Sequence, residues 1–121
     1  MSIHFRTNDP GHLLVALNQA IDNHHHNRQG QRIDTWRYVL HQQHYFYTHT
    51  SANWRDKAWL RADIEQGQLA FYVLAFDGVR LTRDTYAYYA GHLIETFIRH
   101  FAGAYSLAQS TPNASGNDAQ F

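Results

Sequence analysis

Apolar residues recur at helical spacing in two stretches of this chain and at strand spacing between them. Leu13, Leu14, Leu17, Ala20 and Ile21 fall three and four apart, the pattern of one buried helix face. Asp9 before Pro10 supplies a capping side chain and a residue suited to the first turn, and Gly30 offers a stop. The spacing therefore predicts a helix over residues 10–27. From Thr82 or Asp84 onward, Tyr86, Ala90, Leu93, Ile94, Phe97, Ile98, Phe101 and Tyr105 hold the same spacing, which predicts a long amphipathic helix. Glu95 and Arg99, four apart on its polar side, can pair. Gly91 costs about 1 kcal/mol relative to alanine in mid-helix, unless it lets the helix approach its neighbour closely.

Between the helices the period changes. "HYFYTHT" is dense in aromatics and threonine and reads as a strand. In "AWLRADIE" Ala58, Leu60, Ala62 and Ile64 point one way, and Trp59, Arg61, Asp63 and Glu65 the other. Gln66-Gly67 turns the chain and "LAFYVLAF" returns as an apolar run, with Ile64 opposite Leu69. Asp77-Gly78 predicts a hairpin turn into a short strand at "VRL". Residues 34–43 fit either an imperfect strand or a short helix with Trp36, Val39 and Leu40 on one side, and "SANWRD" reads as a loop. The fold class is α+β: an N-terminal helix, an antiparallel meander of four to five strands and a long C-terminal amphipathic helix. Residues 1–105 form one domain, and the small polar residues 106–121 read as a disordered tail.

This register has a consequence for surfaces. One face of the central hairpin carries Leu60, Ala62, Ile64, Leu69, Phe71 and Val73, while the other carries Trp59, Tyr72, Leu74 and Phe76. An antiparallel sheet with one wet face alternates cleanly, and the second of these strands does not. Either the helices lie on opposite faces, or both lie on one face and a partner covers the other.

Composition narrows the chemistry. Ten Lys and Arg balance ten Asp and Glu, so the general electrostatic footprint of a nucleic-acid binder is missing. The chain has no cysteine, which excludes disulfides, thiolate catalysis and cysteine-ligated zinc. No apolar run reaches the ~20 residues of a membrane span, and the expected setting is the cytoplasm. Gly-rich nucleotide loops, nucleophile elbows and His-Glu-x-x-His are all missing from the sequence.

Ten histidines are many for 121 residues. His24, His25 and His26 are consecutive, and on a helix such neighbours diverge by roughly 100° each and cannot converge on one ion. They read as the wet end of a helix, where histidine favours the C-terminal dipole. Asp22 and His26 are the one local pair with ligand spacing. His41, His44, His49, His92 and His100 are the candidates for a metal site assembled from distant positions. Asp63 and Glu65 share a strand face about 7 Å apart, but Arg61 beside them points to a salt-bridged surface rather than to paired acid and base.

The closing order of hairpin, Asp77-Gly78 turn and amphipathic helix resembles, in element order only, the later part of the type III secretion chaperones. No specific motif carries that resemblance. The sequence is read as a small non-enzymatic bacterial protein-interaction module, homodimeric, with a possible protein partner and neither nucleic acid nor membrane. Its interface would comprise Trp59, Tyr72, Leu74 and Phe76 on the sheet, or Tyr88, His92 and Arg99 on the second helix. The alternative is a histidine-ligated metal-binding protein or small metalloenzyme holding zinc or iron.

Overall fold

The structure, a computed structural model, describes residues 1–75 and 78–113. Its elements run β1 (Ser2–Arg6), α1 (Pro10–His25), β2 (Trp36–His41), β3 (His44–His49), β4 (Trp59–Glu65), β5 (Gln68–Leu74), α2 (Arg83–Phe101) and β6 (Leu107–Thr111). The strands form one antiparallel sheet in the order β2-β3-β4-β5-β1-β6. The α+β class with an antiparallel sheet thus stands, with six strands in place of four to five.

Both helices begin as their capping residues dictate. The Asp9 carboxylate accepts the His12 N–H at 3.0 Å, and the Thr82 hydroxyl accepts the Thr85 N–H at 3.1 Å, each satisfying an amide that has no partner within its helix. The histidine run closes α1: His24 and His25 occupy its last turn and His26 its cap, all exposed.

The two helices pack on the same face of the sheet. Leu13, Leu14, Leu17, Ala20 and Ile21 from α1 and Tyr86, Tyr89, Leu93, Phe97 and Phe101 from α2 join one core with Ile3, Phe5, Leu60, Leu69, Phe71 and Val73. Phe97 stacks on Phe5 at 3.9 Å and meets Phe71 edge-on at 5.9 Å. The Trp36 indole N–H donates to the Thr96 hydroxyl at 2.9 Å inside that core, so its one polar group is satisfied where it is buried.

The central hairpin has the register read from sequence, with Ile64 paired to Leu69. One open local reading is settled and three are corrected. Residues 36–41 are a strand: their pairing with β3 runs from Trp36–His49 to His41–His44, closed by Gln42 and Gln43 with φ of 50° and 69°. "VRL" forms no strand, and Val79 is exposed. Ser2–Arg6 is a strand lying between β5 and β6, paired to both. The polar stretch after Tyr105 contributes β6 across Leu107–Thr111 through backbone pairing rather than by burying side chains. Two residues on predicted apolar stripes, Ile64 and Ile98, are each 58% exposed, because one ends its strand beside a turn and the other lies at the margin of the α2 stripe. Phe76 and Asp77, and with them the predicted Asp77-Gly78 turn, lie outside the described residues, as do positions 114–121.

Gly91 does not serve close packing: a methyl group at its Cβ position meets nothing within 4 Å. Gly91→Ala is therefore expected to raise the unfolding free energy by about 1 kcal/mol, read as a higher urea midpoint with an unchanged slope.

Candidate functional site

Two groupings of side chains stand out, one on each face of the sheet. On the face away from the helices, Phe46, Trp59 and Leu74 form a second apolar cluster. The Arg37 guanidinium lies over Trp59 at 5.1 Å and that of Arg61 over Tyr72 at 5.4 Å, a favourable cation–π arrangement that also shields the rings from water. Arg37 is held in place by Asp56 at 2.7 Å. Arg61 reaches Asp63 at 3.2 Å, whose other oxygen lies 3.4 Å from His44 Nδ1. Glu65 accepts the Tyr72 hydroxyl and the Gln68 amide, both at 2.6 Å. Burial, reinforced by that acceptor, pushes the Tyr72 pKa up to about 12. Asp63 and Glu65 are thus each engaged by their own neighbours and do not share a proton.

This face does not offer the side chains expected of it. Trp59 is 6% exposed, Tyr72 6% and Leu74 1%, and buried rings cannot be contacted by a partner without rearrangement. Phe76 lies outside the described residues. The grouping missed from sequence is at β1: Ser2 Oγ lies 2.9 Å from His4 Nε2 and 2.8 Å from Thr111 Oγ1. It has the look of a nucleophile and its base, but Ser2 is 4% exposed and its hydroxyl is shared with Thr111, so the bonds fasten β1 to β6. Residues two apart on a strand share a face, but "SIHFR" is too short and mixed a pattern to mark itself as a strand.

The second grouping lies where the end of β3 meets α2. His49 is 4% exposed and stands edge-on to His92, Tyr88 and Trp36, with ring centroids 5.0, 5.1 and 5.3 Å away. Tyr88 and His92, one turn apart on α2, stack at 4.1 Å, and Trp54 from the loop before β4 stacks on Tyr88 at 4.0 Å. Lys57 sits 5.7 Å from the Trp54 ring. The loop is anchored by Thr48, whose hydroxyl accepts the Asp56 N–H at 2.9 Å, and by the Tyr89 hydroxyl, which donates to the Trp54 carbonyl. Desolvation first, and the neighbouring His92 second, hold the His49 pKa below the ordinary imidazole value.

The other named histidines lie away from this cluster, His41 and His44 opposite each other on β2 and β3. His41 is exposed at the end of β2, His44 faces Asp63 on the opposite side of the sheet, and His100 takes a bond from Gln31 at 3.0 Å. Of the five metal candidates, the fold pairs His41 with His44 across the β2–β3 hairpin and His49 with His92, whose rings pack at a steep angle of 81°. Among the described residues no three His, Asp or Glu converge in a way that could hold an ion. Asp22 instead accepts the Tyr38 hydroxyl at 2.8 Å, and Arg99 pairs with Glu95 at 3.2 Å on the open side of α2. Among the described residues, no helix is long and apolar enough to cross a membrane. Comparison with protein-family models, curated proteins and solved structures finds no match to this chain.

A depressed His49 pKa ties stability to pH. The unfolded chain takes up a proton near pH ~6.5 while folded His49 resists it, so its contribution is complete above that value and is lost as the pH falls toward the folded pKa. Urea unfolding across the acid range is expected to show this decline, and His49→Asn should flatten part of it.

Proposed function

We propose that this chain is a small, non-enzymatic protein-interaction module that self-associates, and that β2 is its contact edge. The observation that carries the reading is the state of that edge. β2 ends the sheet, and no strand among the described residues pairs with its outer side. Val39 is 40% and Leu40 60% exposed, on opposite faces of one strand. Edge strands are ordinarily blunted by proline, lysine, bulges or a covering loop. Trp36–His41 contains neither proline nor lysine, and its one cation, Arg37, is turned to Asp56. The opposite edge, β6, is shorter, polar and followed by Pro112.

Strand addition suits such an edge, because main-chain hydrogen bonds supply the attraction and alternate side chains the selectivity. A second copy related by a two-fold axis normal to the sheet would place Val39 against its own counterpart. Tyr38 would then lie beside Leu40 of the other copy on the helix side. Both contacts remove apolar surface from water, and the interface is self-complementary, as an isologous dimer requires.

Sedimentation of the wild type is expected to show a dimer. Val39→Lys combined with Leu40→Lys should give a monomer whose unfolding free energy stays within about 0.5 kcal/mol of wild type, since both positions are exposed in the single chain. A wild type that remains monomeric at high concentration overturns the reading.

A further inference from the structure

His49 is the one buried imidazole whose two nitrogens are treated differently by the fold. Nδ1 accepts the backbone N–H of Ser51 at 3.0 Å. Nε2 is sealed from solvent and has no hydrogen-bond partner. Because a donor faces Nδ1, the neutral ring carries its proton on Nε2. The same ring packs against His92 and Tyr88, and Tyr88 is the ring on which Trp54 rests. One imidazole therefore touches the first amide of the segment 51–57 and the α2 surface against which the aromatic residue of that segment lies.

We propose that His49 is a proton-operated latch: a second proton on its ring releases residues 51–57, and Trp54 with them, from α2. The second proton has one place to bind, Nδ1, where it opposes the Ser51 N–H donor to donor. The bond that starts the segment is then lost, and a cation is created 5.0 Å from the centre of the His92 ring. Elements packed around His49 present few charges to offset it. From α2 come His92, Tyr88 and Tyr89, and from β2 comes Trp36. The segment itself brings Trp54 and Lys57, while its Asp56 is engaged by Arg37. His92 and Lys57 can only oppose a positive His49, and neither tyrosine brings a carboxylate to balance it. The remaining anchors of the segment are the hydroxyls of Thr48 and Tyr89, so His49 supplies the imidazole among the bonds that tie it down.

The test is fluorine NMR of fluorotryptophan-labelled full-length protein, with the Trp54 line assigned through Trp54→Phe, alongside amide exchange corrected for the intrinsic rate. Between about pH 7.5 and about pH 5, the Trp54 line should move and exchange at 51–57 should rise several-fold. Amides of β4 and β5 should stay protected. In His49→Asn the side-chain oxygen accepts the same amide in an Asx turn but does not titrate, and both changes should vanish. His92→Gln should shift the midpoint upward, toward the ordinary imidazole value. An unresponsive wild type, a His49→Asn protein that responds like wild type, or loss of β4 and β5 protection in step with the segment overturns the latch. If His49→Asn does not fold, an unmoved midpoint in His92→Gln overturns it equally.

Discussion

The stack of Phe5 on Phe97 is the contact on which the rest of this architecture depends. β1 sits between β5 and β6 and carries only Ile3 and Phe5 toward the helices. Phe5 meets Phe97 at 3.9 Å, Phe71 at 5.9 Å and Tyr105 at 5.3 Å, so one ring joins β1, β5, α2 and the approach to β6. Truncating a buried phenylalanine typically removes 3–5 kcal/mol, a large share of a small domain's stability. Without that contact β1 has little apolar surface to hold it in mid-sheet. β6, which is polar, would then have no strand to pair with.

Placing both helices on one face divides the labour between the faces. The helix side carries nearly all the large apolar core, whereas the other side combines a small aromatic cluster with arginine and carboxylate pairs. Aromatic residues on the second face therefore do not amount to an exposed apolar patch. Arg37 and Arg61 lie along Trp59 and Tyr72 with their charges satisfied by Asp56 and Asp63. The proposed contact with another chain accordingly falls on the margin of the sheet instead of its plane.

Where a segment buries a continuous stripe, the sequence was sufficient to read it. α2 and the β4–β5 register follow directly from periodicity, since a one-residue slip would turn Leu60 and Phe71 to the wrong side. β1 and β6 escaped because their order comes from neighbours: "SIHFR" buries two apolar side chains toward the helices and "LAQST" is held by backbone bonds. Residues 36–41 were ambiguous because apolar Val39 interrupts the alternation of Trp36, Tyr38 and Leu40, and Leu40 on the helix side extends past the core. In the histidine cluster, Tyr88 and His92 were legible as residues one turn apart. Trp54 and His49 were not, because a loop packing back on a helix leaves no periodic trace.

The position of β1 also sets the order in which the chain can be completed. Its two neighbours are β5, more than sixty residues downstream, and β6, about a hundred residues downstream. A ribosome releases residues in sequence, so β1 emerges ahead of both partners and waits about a hundred residues before its outer side is paired. During that wait α1 can fold on local bonds, but the sheet cannot close. Pairings so distant in sequence make folding slow for a domain of this size, and β1 has its outer side covered only once β6 is made.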